Sequence, residues 1–571
     1  MRLRNELLDQ VRAQPDIDVL IVGGGINGVG LLRDLAAQGV GAVLVDKGDF
    51  CSGTSAAPSR LVHGGLRYLE TGEFALVRES VEERNRLLLN APHLVVPLAV
   101  WVPLSSWWAG LLRAPGRFFG WTRAPGAKGA LVTKLGLVFY DWFGRHVGGV
   151  PRHRLVGGAD MRAAMPSISP RTRLAAEFFD ARLVHPERLT LELVADAERD
   201  CPQALAVSYL ALESGAGPEV VLRDQIGGEA ITVRPRLVVN TTGAWVDRVD
   251  AQLDVRHRFI GGTRGSHLVL RHAALAGELG DRMLYFETGD HRICLAYAVG
   301  PGLVLLGTTD IRTDDPDDAC CTGAEIDYLL RELRVALPRI DVAPGHIVFS
   351  YAGVRPLPAA DGVVAGAISR DHSLRVLPAE GTRPYDILTL VGGKWTTYRA
   401  CAAQIADAVL ARMRRQRRVD TAGLRIGSAR DWPDGAGQAA RIERLAARPG
   451  LGRTVAQGLW ARHGCDAERV ADAIALTGLQ PIPDLPGYTV GEIAYIAREQ
   501  RVGRLADVVL RRTLIAFEGR CTPLALQAIA RCVGDALDWS EERIRQETAA
   551  TATLLLERHG VQMGDPSPPP A

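Results

Sequence analysis

The chain has 571 residues, 47% of them hydrophobic and 23% charged, the balance of an ordinary folded protein. A net charge of +2 is too small for this size to point to nucleic acid as a partner. The nine cysteines, an odd number with no C-x-x-C spacing, fit a reduced cytosolic setting rather than a disulfide framework or a zinc site, so no metal is expected.

Residues Met1 to Gln14 carry Glu6 and Asp9 and no apolar core, so a secretory leader is not expected. The apolar run Val19-Leu20-Ile21-Val22 then enters Gly23-Gly24-Gly25-Ile26-Asn27-Gly28, and Leu31, Leu32, Leu35 and Ala36 follow at helical spacing. A second apolar run, Ala42-Val43-Leu44-Val45, ends on Asp46, 18 residues past Gly28. Strand, G-x-G-x-x-G, helix, strand and acid make up the dinucleotide fingerprint in its required context. Gly23 permits the tight turn, Gly25 lets the backbone approach a pyrophosphate, and Gly28 lets the helix pack close to the strand. The helix N-terminus offers N–H donors and partial positive charge to phosphates, and Asp46 is placed to accept a bond from a ribose hydroxyl.

Farther along, Leu87 to Leu112 lacks charge and is long enough to span a bilayer. Pro92, Pro97 and Pro103 interrupt it, so buried strands separated by turns are expected instead. Trp107 to Lys134 holds Arg113, Arg117, Arg123, Lys128 and Lys134 with no acid, interleaved with Trp107, Trp108, Phe118, Phe119 and Trp121. That composition fits a segment lying on anionic lipid, and equally a basic soluble surface whose aromatics enter the core. Strands are expected at Leu237 to Asn240, His267 to Leu270, Leu303 to Leu306 and Ile387 to Val391. The first and last of these run into the turns Asn240-Thr241-Thr242-Gly243-Ala244 and Val391-Gly392-Gly393-Lys394, which would bring distant parts of the chain onto one cofactor. A helix from Thr397 to about Met413 should follow. Between about 425 and 560 helical spacing runs almost throughout, as in Gly491 to Gln500 and Leu505 to Phe517, and reads as an appended domain. The Pro-rich tail to Ala571 is expected to be disordered.

Several strings are more specific: His63-Gly64-Gly65-Leu66-Arg67-Tyr68-Leu69-Glu70, Gly265-Ser266-His267, Gly307-Thr308-Thr309-Asp310 and Gly353-Val354-Arg355-Pro356-Leu357. Ser369-Arg370-Asp371 and Gly392-Gly393-Lys394-Trp395-Thr396-Thr397-Tyr398-Arg399 follow. In this order, with the first glycine turn, they resemble the aerobic FAD-dependent glycerol-3-phosphate dehydrogenases, within the D-amino-acid-oxidase-like flavoproteins. The resemblance implies an α/β FAD-binding Rossmann-like domain with an interleaved β-rich substrate domain over residues 15–415. A C-terminal α-helical domain over 425–560 and a disordered tail over 561–571 complete it. Where such proteins commonly carry a Ser-rich loop ending in Lys, this chain reads Ser55-Ala56-Ala57-Pro58-Ser59-Arg60, which keeps the charge and stiffens the loop.

The resemblance also implies a site. FAD is expected on Gly23, Gly25, Ile26, Asn27, Gly28, Asp46 and Lys47. Thr54, Ser55, His63, Gly64, Gly65, Gly243, Gly392, Gly393, Lys394 and Thr396 complete its surroundings, with His63 mainly positioning its loop. Glycerol 3-phosphate needs cations for a dianionic phosphate and a base for its C2 hydroxyl. Arg67, Tyr68, Arg355, Arg370 and Lys394 are the expected substrate residues, and His267, Arg355 and Lys394 the expected catalytic ones. The implied reaction passes a hydride to FAD N5 and electrons onward to membrane quinone or another acceptor. The enzyme would be cytoplasmic, peripheral on the inner face of the membrane, with its helical end a candidate homodimer surface. The competing readings are an oxidase using dioxygen, an amine or amino-acid oxidase of the same superfamily, and a catalytically idle flavoprotein.

Overall fold

The computed structural model describes residues 2–66, 72–107, 129–145, 150–359 and 372–563. Arg67, Tyr68, Arg370, most of the Trp107-to-Lys134 segment and the tail from Gly564 onward lie outside the described residues.

Five short apolar strands form a parallel sheet in the order Asp386–Val391, Leu237–Asn240, Leu20–Val22, Val43–Val45 and Leu205–Val207, with Ser373–Leu377 antiparallel at one edge. Both faces of the sheet are covered, so these strands read as continuous apolar runs, their alternate residues facing opposite layers. Val19, Ile21, Leu44, Val239 and Leu388 pack under the helices Ile26–Ala37, Pro186–Asp200 and Tyr398–Arg412. Leu20, Val22, Val45, Val238 and Ile387 pack against the small sheet Leu210–Ala216, Glu219–Asp224 and Ala230–Pro235, and against helix Arg4–Ala13.

A second, larger sheet interleaves with the first along the chain. Its central strands are Thr263–Arg271, Leu303–Gly307, Ile293–Gly300, Arg282–Glu287, Val95–Leu104 and Leu174–Leu183, and Ile347–Arg355 pairs with Thr263–Arg271. The Leu87-to-Leu112 expectation needs correction at its start, because Leu87 to Asn90 are the last residues of helix Phe74–Asn90. Val95–Leu104 is a strand despite containing Pro97 and Pro103. It pairs along its whole length with Leu174–Leu183, but with Arg282–Glu287 only at Ala99 to Trp101, so neither proline's missing N–H interrupts a second ladder.

The C-terminal region is helical, as expected, with one hairpin, Pro481–Ile482 and Leu485–Thr489. It is more than an appendage. Ile493, Leu505, Val509, Phe517, Ile529 and Leu555 share one hydrophobic core with Val100, Phe178, Val269, Leu305 and Tyr351 of the large sheet. Within the helical spacing of Leu505 to Phe517 the structure forms a single α turn, Leu505–Asp507, followed by a π-helical turn, Val508–Arg512.

Candidate active site

The three glycine turns meet at the carboxyl edge of the parallel sheet, because their strands are neighbours there. The Thr241 hydroxyl donates to the carbonyls of Val22 (2.9 Å) and Gly23 (3.1 Å), tying the second turn to the first. A Cβ on Gly28 would lie 2.0 Å from the Gly23 carbonyl oxygen, and one on Gly23, whose φ is +108°, 2.8 Å from that of Thr241. Helix Ile26–Ala37 begins at Gly25 with no side-chain cap. A Cβ on Gly393 (φ +102°) would come within 2.6 Å of Asn27 Nδ2, so the third turn passes directly over the helix start. Asn27 Oδ1 is buried there without a hydrogen-bond partner. A helix N-terminus whose own N-cap is a glycine, a tight glycine cradle and an unpaired acceptor fit the pyrophosphate and ring of a dinucleotide.

Asp46 closes this end. Its Oδ2 accepts from Gly24 N (2.6 Å) and its Oδ1 from Gly48 N (2.8 Å). Burial pushes its carboxyl up to about 6, against the opposing pull of those two N–H groups. Lys47 points elsewhere: its ammonium lies 3.2 Å from Asp317 and over the Trp245 ring.

The segment from Thr54 to Arg60 links the two sheets. The Ser55 hydroxyl accepts from Ile26 N (3.0 Å), and Trp395 Nε1 donates to the Ser55 carbonyl (3.0 Å), joining the first and third turns. Thr54 donates its hydroxyl to Val354 O, and Tyr351 its hydroxyl to Pro58 O. Ser59 Oγ lies 2.7 Å from His267 Nε2. Arg60 does not turn toward the cofactor cleft: it lies over the Phe517 ring and donates to Val184 O. His63 N donates to the Thr396 hydroxyl, while Gly64 N donates to Tyr140 Oη and Asp180 within a buried Arg84–Asp180–Tyr140 network.

Strand Thr263–Arg271 carries the candidate base. Residues 263, 265, 267 and 269 share one face of it, while Arg264 and Ser266 on the other face reach Glu325 of helix Gly323–Ala336. Gly265 has a steric task, since a Cβ there would lie 2.1 Å from Arg355 Nη2. Gly307 has the same task for His267, whose Cδ2 would be 2.1 Å from a Cβ. Arg355 donates to Asp310 Oδ1 (3.0 Å), the Thr308 hydroxyl (2.9 Å) and the Thr309 carbonyl (3.2 Å). Its side chain keeps 22% exposure. His267 is buried and stacked on Tyr351, with Nδ1 making no hydrogen bond. Burial, with Arg355 and Arg60 adding to it, pushes its imidazole down to about 3, so it is neutral at physiological pH. Lys394 is half-buried directly after the Gly392-Gly393 turn.

His267 and Arg355 lie on paired strands, and Ser55 and Trp395 join the first and third glycine turns, Lys394 following the third; Arg67, Tyr68 and Arg370 lie outside the described residues. Sequence reasoning did not assign Ser59, Asp310, Thr308 or Tyr351. The string Gly307-Thr308-Thr309-Asp310 holds two of them and the loop Ser55 to Arg60 holds Ser59, though neither string pointed to these roles, and Tyr351 lies outside every string quoted above.

Fold and site together define a two-sheet flavin-type oxidoreductase. Residues 18–407 match the model of the FAD dependent oxidoreductase family, and residues 419–544 that of the C-terminal domain of alpha-glycerophosphate oxidase. A glycerol-3-phosphate dehydrogenase of Synechocystis is 33% identical over 92% of this chain and 94% of its own length. A glycerol-3-phosphate dehydrogenase of Mycobacterium leprae is 30% identical, over 93% of this chain and 87% of the relative. Among solved structures, the Bacillus halodurans glycerol-3-phosphate dehydrogenase complexed with FAD superposes with a TM-score of 0.74 at 21% identity, covering 99% of both chains. The chain belongs to the FAD-dependent glycerol-3-phosphate dehydrogenase family, and its cofactor is FAD.

Proposed function

We propose that the protein oxidises sn-glycerol 3-phosphate to dihydroxyacetone phosphate and passes the electrons to a membrane quinone. The observation that carries this reading is the pairing of His267 with Arg355, on adjacent strands pressed against the turn that holds Ser55 to the first glycine loop. In this reading the Gly23–Gly28 turn, Asn27, Ser55, Gly243, Gly392, Gly393 and Thr396 hold FAD, with Asp46 on its ribose. Bound FAD supplies the hydride acceptor at N5.

Arg355, oriented by Asp310 and Thr308, offers a planar donor fork to the dianionic phosphate. Lys394, Arg67, Tyr68 and Arg370 complete the phosphate and hydroxyl contacts. His267 takes the C2 hydroxyl proton. Its depressed basicity reflects the field of Arg355 as well as burial, so phosphate bound at Arg355 offsets that field and strengthens the base when substrate is present.

Membrane delivery is supported by helix Ala130–Gly144. Leu131, Lys134, Leu135, Val138 and Trp142, with Arg145 just beyond, form one exposed helical stripe: four apolar side chains, two cations and no acid. Its opposite face is anchored by buried Leu137 and Tyr140. Such a face suits an anionic lipid surface, and among the described residues no helix is long and apolar enough to cross a membrane. The test is turnover of glycerol 3-phosphate with a water-soluble quinone. The expected result is quinone reduction with little peroxide in air; stoichiometric peroxide without quinone would make the protein an oxidase.

A further inference from the structure

The π-helical turn Val508–Arg512 lies far in sequence from the cofactor motifs, yet it grips the loop beside them. Asp49, fully buried, receives Arg511 Nε (2.6 Å), Arg512 Nη1 (2.6 Å) and Arg512 Nη2 (2.8 Å). Burial alone would raise the Asp49 carboxyl, but Arg512 and Arg511 outweigh it and hold it below its usual range. Successive residues of an α-helix diverge by about 100°; the wider π turn lets both guanidiniums converge on one carboxylate. A second tie runs through Tyr209, whose N–H donates to Gly48 O (2.8 Å) and whose hydroxyl donates to Asp507. Asp507 also receives Gly503 N, Arg504 N and Arg511, so it is fixed in its own helix cap.

These two ties hold one loop. Cys51 N donates to Gly24 O (3.0 Å), the Phe50 ring fills the space where Gly24 lacks a side chain, and Asp46 binds Gly24 N and Gly48 N. We infer that the C-terminal helical domain sets the geometry of the FAD site: Arg511 and Arg512 through Asp49, and Asp507 through Tyr209, are positioning residues that lock the Asp46–Cys51 loop onto the first glycine turn. The inference rests on the assignment of Asp46 to the FAD ribose made above. A constellation over-determined by outer partners binds more tightly than its direct contacts alone would.

The test is the dissociation constant of FAD, read by flavin fluorescence on full-length apoprotein, with thermal unfolding followed alongside. Arg512→Gln is expected to weaken FAD binding about tenfold or more, by analogy with outer-shell losses at other sites. Tyr209→Phe, which removes one hydroxyl and keeps the ring, should weaken it severalfold, and Arg512→Lys should recover part of the Arg512→Gln loss. Leu526→Ala, which opens a cavity in the C-terminal core but removes none of these hydrogen bonds, should lower the melting temperature and leave FAD affinity unchanged. The inference is overturned if Arg512→Gln and Tyr209→Phe keep wild-type affinity while Asp46→Ala loses it, or if Leu526→Ala weakens FAD as much as Arg512→Gln. An Asp46→Ala protein that binds FAD normally would instead remove the ribose assignment itself, and the inference with it.

Discussion

In the proposed reaction His267 and Arg355 divide the work of one alcohol oxidation, and each is given room by a glycine, Gly307 and Gly265. His267→Gln keeps the volume but not the base, so flavin reduction by glycerol 3-phosphate should slow by about 10²- to 10⁴-fold with FAD content unchanged. Stopped-flow absorbance checks this, and a rate within a few-fold of wild type would remove His267 as base. At Gly265 an added methyl collides with the Arg355 guanidinium, which must leave Asp310 and Thr308. Gly265→Ala should therefore raise KM for glycerol 3-phosphate about tenfold or more, the worth of one charge-assisted bond or two, while FAD binding is kept. Steady-state kinetics reads the split, and an unchanged KM would mean that Arg355 does not hold the phosphate.

Elements explain what the sequence made legible and what it hid. The glycine turns were readable because each is a local pattern: an apolar strand, a turn with glycine at positive φ, a helix start. Ser59 and Tyr351 were not, because they meet His267 only through the register of Ile347–Arg355 on Thr263–Arg271 and the path of a loop from the other sheet. Arg511 and Arg512 carry no pattern of their own within the helical spacing of Leu505 to Phe517, and only the π turn aims both at Asp49. Helix Glu541–His559 ends in a further contact of this long-range kind: His559 stacks on Phe349, and its Nδ1–H donates to Ser350 O (2.9 Å). Burial, with Arg511 and Arg558 adding to it against the Ser350 carbonyl, pushes His559 from 6.5 down to about 4. Between those values the unfolded chain binds the extra proton, so this stability is present above about pH 6.5 and is lost as pH falls toward 4. The melting temperature of the holoprotein should fall over that window, and less steeply in His559→Phe, which keeps the stack; equal slopes would show that His559 carries no such linkage. On helix Ala130–Gly144, burying the half-exposed stripe is worth on the order of 1 kcal/mol per apolar side chain. Leu135→Asp with Trp142→Asp should abolish cosedimentation with anionic vesicles and leave turnover with a soluble acceptor intact. Retained cosedimentation would move the lipid contact elsewhere.

At the scale of the whole molecule, two sheets threaded through each other along the chain place the FAD turns and the His267–Arg355 strands against one shared loop, Thr54 to Arg60. The C-terminal helices close the arrangement by joining the large sheet's core and bracing the Asp46–Cys51 loop. In the proposed function these features form a phosphate-reading alcohol oxidation site rather than a dinucleotide site alone. The most direct test is anaerobic mixing of the purified FAD protein with glycerol 3-phosphate, beside glycerol, D-alanine and sarcosine, while the visible flavin absorbance is followed. The account predicts rapid bleaching by glycerol 3-phosphate and none by the others. Unchanged absorbance with glycerol 3-phosphate, or bleaching by D-alanine or sarcosine in its place, would contradict it.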